Sequence, residues 1–440
     1  MENNYLFLPI ETSTRELEAK LLIALEACNK GFDVLIGSKR LFRLAKYLGK
    51  GVFLYKDASA PMEEIFKDLQ SRGVKIAVHD EEGFVHLDDL VYVNSRLRFN
   101  TIKYVDIFFA WGAQQANLVK AVVFEFNSSC KVITTGHPRI DLLRKPFTKI
   151  YPEMQQPTIL INTKLAECNH RNGENGWIEI LEKHSMIRTE EDIVQRHRQK
   201  QYKELLLKEY QLLISRLSQE LPHHRIVIRP HPVENKTTWI DYAKNLPNVD
   251  VDWSESIAHW ASQACVVIHT GCTTGIEAAL LDKRVISYKP LSTTEFDIKL
   301  PDSISNIART QDELISMIYS QEWPVQREHV VSTLNNHLKN IEEKWAYQEI
   351  VNELPGRLTF KPWKLRIKLV SFQLFMIIKK IIRAIVSNDH YKNSSVDNKF
   401  TIDRENLVLK INAFKSLLEM HSSNIVMNKI DDEIFLIKKK

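Results

Sequence analysis

Cysteine is scarce in this 440-residue chain, and no hydrophobic run is long enough to cross a bilayer. The longest apolar run, near residues 369–378, falls well short of the ~20 residues that a membrane-spanning helix needs. The cysteines form no Cys-x-x-Cys pair, which argues against a disulfide framework and a zinc site. They are scattered singly along the chain: Cys28, Cys130, Cys168, Cys265 and Cys272. No signal peptide is recognisable after Met1, so we expect a cytoplasmic protein.

Acidic residues are missing from one stretch near the C-terminus. Between Glu353 and Asp389 there is none, although the chain as a whole carries a net charge of only +5. The body of the protein is therefore mildly acidic, and one segment, about residues 357–387, is basic. That segment predicts an amphipathic helix lying on an anionic membrane surface, where each basic residue contributes ~1 kcal/mol. The predicted membrane contacts are Lys361, Trp363, Lys364, Arg366, Lys368, Lys379, Lys380 and Arg383.

Two alternatives to membrane binding were considered for the basic segment. Few aromatic residues alternate with its cations, which argues against nucleic acid as the partner. The other alternative is a helix packed on the protein with its lysines in solvent. We favour the membrane, because no acidic residue balances the charge, and expect a peripheral protein on the inner face of the cytoplasmic membrane.

Short apolar runs alternate with segments of helical periodicity over the first three quarters of the chain. This β-α order predicts an α/β protein with parallel, doubly wound sheets. A first Rossmann-type domain is expected over residues 1–150 and a second over 151–330. We predict that they face a central cleft, the natural place for an active site, and that residues 331–440 form a helical tail.

The strand predicted at Arg225–Ile228 ends in Arg229-Pro230-His231-Pro232. Ligands of open α/β sheets bind beyond the carboxyl ends of the strands, and a guanidinium and an imidazole are good partners for phosphate. Prolines at both sides of His231 restrict the loop. This motif therefore predicts a phosphate site, although a solvated turn after a strand would look the same.

A second strand, Val266–Ile268, runs into small residues and then into a helix. The loop and first helical turn hold Thr270, Gly271, Thr273, Thr274 and Gly275, and a helix N-terminus with free N–H groups binds anions. Glu277 in the same helix is placed to accept from ribose hydroxyls, unless it only offsets the helix dipole. Asn162, Thr163 and Lys164, after the first strand of this domain, complete the predicted nucleotide site.

Acidic residues mark the strand ends of the first domain. Asp80-Glu81-Glu82-Gly83 follows a predicted strand, and three neighbouring acids repel, so at least one is expected to have a raised pKa that suits proton transfer. Glu11 ends another strand, with Arg15 close behind it. Arg139, in Gly136-His137-Pro138-Arg139-Ile140-Asp141, is either a functional residue or a structural one paired with Asp141.

Taken together, these motifs resemble the bacterial surface carbohydrate biosynthesis proteins over about residues 5–330. They are also similar to the retaining β-Kdo transferases and the bacterial sialyltransferases, enzymes of GT-B type that use CMP-sugars. Those families carry an acidic motif in the first domain, and a His-Pro motif and a Ser/Thr pair in the second. The counterparts here are Glu81-Glu82-Gly83, His231-Pro232 and Thr273-Thr274. His137 is a departure, since asparagine is more usual there.

The resemblance implies transfer of Kdo or another nonulosonic acid from a CMP-sugar to a surface glycan. Arg229, His231 and Pro232 would hold the donor with the threonines, and Glu81, Glu82 or Glu11 would act as base or nucleophile beside the catalytic His231. Asp80, Arg15 and Arg139 would lie on the acceptor side. No metal or cofactor is expected, because the leaving CMP carries one phosphate that side chains can neutralise.

Three rival functions stay open at this point. A CDP-glycerol or CDP-ribitol phosphotransferase shares the two-domain body, the His-Pro motif and a basic membrane surface. A UDP-sugar 2-epimerase has the same two domains but little use for the basic segment. A non-catalytic scaffold of a glycan assembly complex would not depend on the acidic residues for its role.

Overall fold

The computed structural model describes residues 4–183, 187, 189–320, 322–323, 325–355, 367–374, 378, 404–420 and 424–440. The chain divides into two compact units. Unit 1 comprises Met1–Phe84, Tyr92–Leu142 and Asn336–Lys440, and unit 2 comprises Val85–Val91 and Leu143–Asn335. Each is described by itself below.

The strands of the described residues are numbered in chain order. They are β1 (Asn4–Pro9), β2 (Phe32–Gly37), β3 (Gly51–Tyr55), β4 (Val74–His79), β5 (Ile107–Ala110), β6 (Lys131–Thr134), β7 (Thr158–Asn162), β8 (Arg225–Arg229), β9 (Val249–Val251), β10 (Val266–His269), β11 (Arg284–Tyr288), β12 (Asn306–Ala308), β13 (Ile425–Asp431) and β14 (Ile434–Lys439).

The helices are numbered in the same way. They are α1 (Ser13–Asn29), α2 (Leu41–Leu48), α3 (Glu63–Ser71), α4 (Asp89–Tyr92), α5 (Ala113–Glu125), α6 (Pro138–Asp141), α7 (Gly176–Lys183), α8 (Glu190–Glu220), α9 (Lys236–Ala243), α10 (Ile257–Gln263), α11 (Thr273–Leu280), α12 (Lys299–Ser303), α13 (Gln311–Tyr319), α14 (Arg327–Leu334), α15 (Ala346–Glu353), α16 (367–374) and α17 (Arg404–Leu417).

Unit 1 is built on one sheet with the order β13-β14-β2-β1-β3-β4-β5-β6. Strands β1 to β6 are parallel, as the alternation of apolar runs and helices predicts. The strand order reverses between β1 and β3, so their carboxyl ends form the switch point at which such sheets bind ligands. Glu11 follows β1, and Lys56 follows β3, at this position.

Unit 2 contains a fully parallel sheet with the order β12-β11-β10-β7-β8-β9. Counted from its own first strand, this is the 3-2-1-4-5-6 order of dinucleotide-binding domains. The switch point lies between β7 and β10, where Asn162 and His269 occupy paired positions. The predicted α/β class with two doubly wound domains is therefore confirmed.

The C-terminal part of the chain differs from the prediction of a separate helical tail. Described residues after Asn336 belong to unit 1, and β13 and β14 form an antiparallel hairpin whose second strand pairs with β2. Ile434 and Leu436 of β14 are buried in the core. The hairpin pairs a strand edge that β2 would otherwise leave open, a long-range effect that local sequence patterns do not reveal.

Helix α1 shows how the returning chain changes the environment of the first domain. Periodicity predicts one apolar face, yet the structure also buries polar residues of this helix, including Glu16, Glu18 and Lys20. The cause is a second covering layer, since α15, α17 and β14 all contact α1. Lys410 of α17 reaches Glu18 at 2.7 Å, which supplies the charge partner that burial demands.

The basic segment lies mostly outside the described residues. Those outside are Lys361, Trp363, Lys364, Arg366, Lys379, Lys380 and Arg383. Lys368 is described, and its ammonium donates to the carbonyls of Tyr47 and Leu48 at 3.4 and 3.2 Å, where it complements the C-terminus of α2. In the part of the chain that the structure describes, no helix combines the length and the hydropathy needed to span a bilayer.

Candidate active site

Each acid of the Asp80-Glu81-Glu82 loop has its own cationic partner in unit 1. Arg96 Nη2 lies 2.6 Å from Asp80 Oδ1, Arg139 Nη1 lies 3.4 Å from Glu81 Oε2, and Arg15 forms an ion pair with Glu82. Three adjacent residues on a tight turn point in different directions. The expectation that they repel one another is therefore wrong, because the fold separates them and neutralises each one.

The pKa of Glu81 is lowered, so Glu81 is not the acid of this loop with the raised pKa that we expect of at least one of the three. Burial by itself would raise the pKa of this carboxyl, but its interactions with His137 and with the Arg139 guanidinium outweigh burial and hold the pKa well below its ordinary value. A buried carboxylate that stays ionised is a weak base. Glu81 therefore suits electrostatic positioning better than proton transfer.

Glu82 is the acid of this loop that solvent reaches. Its side chain is 46% exposed, against 4% for Glu81 and 0% for Asp80. The Asp80 carboxylate is further fixed by the Tyr92 hydroxyl at 2.9 Å, so its predicted acceptor-side role is not what the geometry favours. Its interactions with Arg96 and Tyr92 are those of a structural anchor.

A stack of rings that the sequence analysis did not single out borders Glu81. The His137 ring lies 3.9 Å from Trp111 and 4.1 Å from His79, measured between ring centres. His137 Nδ1 accepts from the Arg139 N–H at 3.1 Å, which leaves the proton on Nε2, 3.6 Å from Glu81 Oε1. Burial, assisted by the neighbouring His137, lowers the pKa of His79 well below its usual value.

Arg139 and Asp141 both have partners elsewhere in unit 1, and the alternative pairing of the two residues stays a prediction. The Arg139 guanidinium contacts Glu81, and the Asp141 carboxylate accepts from the N–H groups of Ala346 and Tyr347 at 3.2 and 3.0 Å. Asp141 thus caps the first turn of α15, a role that a distant segment of the chain creates.

Glu11 bridges the switch point of unit 1. Its carboxylate lies 2.9 Å from Lys56 and 3.1 Å from Lys39, so it is neutralised by two lysines. The amide of Thr12 donates to Glu16 at 2.9 Å, which closes the first turn of α1 in place of a threonine hydroxyl. The catalytic role predicted for Glu11 stays a prediction.

At the switch point of unit 2, three residues at the ends of adjacent strands lie side by side. Asn162 at the end of β7 is paired in register with Arg229 of β8 and with His269 of β10. Asn162 is 1% exposed, yet neither its amide oxygen nor its amide nitrogen has a hydrogen-bond partner in the described structure. The hydroxyl of Thr270, one residue beyond β10, is likewise buried and without a partner.

The loop between β10 and α11 is shaped around the ring of His269. The Gly271 N–H donates to His269 Nδ1 at 2.9 Å, and Gly271 adopts a φ of +78°, a conformation that favours glycine. A Cβ on Gly275 would lie 2.6 Å from the same ring. The two glycines of this motif therefore let the helix start close to the strand, as phosphate-binding loops require.

The predicted threonines of α11 do not all serve the same purpose. Thr274 Oγ1 lies 2.5 Å from Cys272 Sγ, within the loop itself, and Cys272 at the N-cap position forms no side-chain cap. The first N–H groups of the helix are thus not occupied by a capping side chain. Glu277 is buried, 3% exposed, inside α11, and its predicted contact with ribose stays a prediction.

The His231 loop is organised by Glu234, which the sequence analysis missed. The Glu234 carboxylate accepts from the Thr163 hydroxyl and the Leu165 N–H, both at 3.0 Å, and from the His231 N–H at 3.2 Å. Burial raises the pKa of Glu234, and these donors act in the opposite direction. One buried carboxyl thereby ties the loop after β8 to the loop after β7.

A cavity of about 220 Å³ opens at the carboxyl ends of β7, β10 and β11 within unit 2. Its walls include the predicted residues Lys164, Thr270 and Gly271. They also include residues that the sequence analysis did not select, mainly from α8 and from the segment after β11: Gln199, Tyr202, Lys203, Lys289, Phe296, Asp297 and Asp302.

Comparison with known proteins identifies neighbours by fold. No protein-family model and no curated protein sequence matches the chain. MnaA of S. aureus, solved with UDP, is 12% identical and gives a TM-score of 0.48, with 80% of this chain and 96% of that chain covered.

Two further solved structures show a similar extent of likeness. UDP-GlcNAc 2-epimerase from Neisseria meningitidis, bound to UDP-GlcNAc, gives 14% identity, a TM-score of 0.46 and coverage of 80% and 99%. The wall teichoic acid polymerase TagF is 8% identical and gives a TM-score of 0.46, with 80% of this chain and 88% of that chain covered. At such identities the likeness concerns the fold.

Proposed function

We propose that this protein is a transferase that takes its donor from a nucleotide-activated sugar and binds the donor phosphate at the switch point of unit 2. The observation that carries the proposal is the buried amide of Asn162 and the buried hydroxyl of Thr270, at the ends of the neighbouring strands β7 and β10, both without hydrogen-bond partners among the described residues. Burying such groups unpaired costs about 1–3 kcal/mol each. A ligand phosphate would satisfy them and would meet the open N-terminus of α11.

The surrounding side chains suit a phosphate that becomes more negative as it leaves. Arg229 stands beside Asn162 in the sheet, and its guanidinium donates to the Glu255 carbonyl at 3.2 Å, which orients the side chain. His231 follows in the loop that Glu234 holds. A guanidinium, an imidazole and helix N–H groups together stabilise a leaving nucleotide, and in this proposal they need no metal.

The donor that we propose first is CMP linked to Kdo or another nonulosonic acid, and the acceptor is a surface glycan. Glu82, the exposed acid of unit 1, is proposed as the base that takes the proton of the acceptor hydroxyl. Glu81, ionised and buried against His137 and Arg139, is proposed as a positioning residue.

The test is a mass-spectrometric assay of the purified protein with a panel of donors: CMP-Kdo, a CMP-nonulosonate, CDP-glycerol and UDP-GlcNAc. We expect product from a CMP-sugar. Product from CDP-glycerol alone would make the protein a polyol-phosphate transferase, and epimerised UDP-GlcNAc would make it an epimerase. Both results would overturn the proposed donor.

A binding measurement isolates the phosphate site. Thr270→Val should weaken CMP binding by about 10-fold, since a hydrogen bond to a charged group is lost, and calorimetry would measure it. Thr148→Val, a half-buried threonine elsewhere in unit 2, is the control and should bind like the wild type. If the two variants bind CMP with equal affinity, Thr270 does not contact the phosphate.

We also propose that the protein docks on an anionic bilayer through α16. Ile367, Val370 and Leu374 are 57%, 52% and 55% exposed, and Ile378, at the same helical spacing, is 55% exposed. The opposite side of the helix, with Leu369 and Phe372, is buried in the core of unit 1. An exposed apolar stripe in a segment rich in cations suits the interface of an anionic membrane.

Co-sedimentation with vesicles tests this docking. We expect binding to phosphatidylcholine vesicles that contain phosphatidylglycerol and weak binding to phosphatidylcholine alone. Val370→Asp with Leu374→Asp should abolish sedimentation, whereas Leu409→Asp, which changes a 69% exposed leucine of α17, should not. Sedimentation of the double variant at the wild-type level would contradict the proposal.

A further inference from the structure

The cavity of unit 2 holds more charged groups than a phosphate site needs. Lysines and acids alternate along its wall, and they fall into two sets. Lys289 lies 2.8 Å from Asp297 and 2.5 Å from Asp302, and Asp302 also accepts from Ser287 at 2.7 Å. The first set, one lysine and two aspartates, therefore has a net charge of −1, and its charged groups are hydrogen-bonded within the protein.

The second set is not neutralised in this way. Lys203 of α8 is only 6% exposed, and no carboxylate of the described residues forms an ion pair with it. Its ammonium lies 5.8 Å from the centre of the Tyr202 ring. Because most of the Lys203 side chain is buried at the wall of the cavity and no carboxylate pairs with its ammonium, this position favours an anion in the cavity.

Two further residues complete the second set. Lys164, half-buried, lines the cavity two residues after Asn162, and it too has no ion-pair partner among the described residues. Glu167 accepts from Gln199 at 3.4 Å through one oxygen, while its other oxygen is buried and without a partner. The wall thus offers two ammonium groups for an anion and one carboxylate oxygen for a hydroxyl or amide N–H.

We infer that this cavity is a second anion subsite, which binds the sugar carboxylate of an acidic donor through Lys203 and Lys164. Glu167 would accept a hydrogen bond from a hydroxyl or amide group of the same sugar. Thr270 and Gly271 line the cavity as well, so the subsite adjoins the donor phosphate site and rests on the proposed function. The phosphate site would bind any CMP-sugar, whereas this subsite would select a donor sugar that carries its own negative charge.

Selectivity follows from the charge of the wall. A neutral sugar would leave Lys203 buried without a counter-ion, whereas a carboxylate would neutralise it. Removing the negative charge from the ligand and removing Lys203 should therefore have the same effect, and the two losses should not add.

The experiment measures the affinities of three ligands for the intact protein by calorimetry: CMP, CMP-N-acetylneuraminate and the carboxyl methyl ester of the latter. The wild type should bind the acid about 10- to 100-fold more tightly than the ester, the range of a charged hydrogen-bonded contact. Lys203→Met should bind both at the affinity of the ester and should bind CMP like the wild type. Lys208→Met, an exposed lysine of the same helix, should keep the wild-type preference.

The outcomes separate this inference from the proposed function. If the wild type binds none of the three ligands, the nucleotide site itself is wrong. If CMP binds but acid and ester bind equally, or Lys203→Met keeps the preference, the carboxylate subsite is wrong and the phosphate site stands. A thermal melt checks that Lys203→Met is folded, and Lys164→Met gives a second variant at the loop.

A separate measurement with CDP-glycerol tests whether the bound anion is a phosphate and not a sugar carboxylate. CDP-glycerol carries a second phosphate in place of a sugar carboxylate. If Lys203→Met loses affinity for CDP-glycerol while its acid-to-ester preference is that of the wild type, the ammonium groups bind a phosphate and the inferred sugar class is overturned.

Discussion

The two units both gather polar side chains near the ends of their strands, but the partners of these side chains differ. In unit 1, the carboxylates of Asp80, Glu81 and Glu82 each lie against an arginine. In unit 2, the amide of Asn162 and the hydroxyl of Thr270 are buried without hydrogen-bond partners among the described residues, and Lys203, a buried residue, has no ion-pair partner among them. The first cluster therefore stabilises the fold, and the second carries an energetic cost that a bound ligand would remove.

This difference teaches that buried polar residues must be judged by their partners. Asp80 and Asn162 both follow or end a strand and are both almost fully buried. Only their hydrogen bonds show that one is an anchor and the other a candidate ligand contact. The predictions below test that distinction, beginning with the largest expected effect.

Asp80→Asn should destabilise unit 1 by about 3 kcal/mol, since it removes the closer of two carboxylates that pair with the half-buried Arg96, the other being Asp57 at 3.9 Å. Chemical denaturation measures the change in the free energy of unfolding. Glu125→Gln is the control, because its pair with Arg98 is about half exposed (47% and 45%) and should cost less than ~1 kcal/mol. If Asp80→Asn lowers the free energy of unfolding no more than Glu125→Gln does, Asp80 is not a structural anchor of unit 1.

Acidification should destabilise unit 2 through His269. Burial lowers the pKa of His269 to about 4, below its unfolded value, so its contribution is complete above the unfolded pKa and is lost as pH falls towards the folded pKa. The expected loss between about pH 7 and pH 5 is on the order of 2 kcal/mol. His269→Asn should flatten this pH dependence and exposed His329→Asn should not; an unchanged slope in His269→Asn would contradict the prediction.

Asn162→Leu should stabilise the protein by about 1–2 kcal/mol, because an unsatisfied amide is replaced by an apolar group of similar size. The same change should weaken CMP binding, the trade-off expected where a site is kept ready for a ligand. Asn248→Leu is the opposite case. Its amide donates to the carbonyls of Leu221 and His224 at 3.1 and 2.9 Å, so it should lose stability. Destabilisation by Asn162→Leu would mean that the amide is not waiting for a ligand.

Glu82→Gln should have the smallest effect on stability, less than ~1 kcal/mol, because its pair with Arg15 is partly exposed. Turnover should nevertheless fall by about 100-fold or more if Glu82 is the base. Steady-state kinetics with the CMP-sugar measures it, with Glu125→Gln as control. If Glu82→Gln keeps the wild-type turnover and the surface polysaccharide is still made, the result would favour a non-catalytic scaffold.

Much of the fold could be predicted because it depends on local patterns. Apolar runs that alternate with segments of helical periodicity predict the parallel strands of both sheets. The hairpin of β13 and β14 could not be predicted, because its partner strand, β2, is almost four hundred residues away in sequence. The switch-point residues Asn162 and Thr270 were found because strand ends are visible in the sequence.

The roles of the site residues were harder to predict. Three roles depend on segments that meet only after folding. Asp141 caps α15, Glu234 ties together the loops after β7 and β8, and Lys203 lines the cavity of unit 2. The mutual repulsion expected of Asp80, Glu81 and Glu82 fails for the same reason, since their arginines come from three different parts of the chain.

By itself, then, the sequence determined the α/β class, the two doubly wound sheets and the strand ends at which polar side chains gather, because hydrophobic periodicity acts over a few residues. The tertiary structure decided which polar groups were neutralised and which were left for a ligand. Burial and charge pairing depend on atoms brought together from distant segments, and no local pattern specifies them.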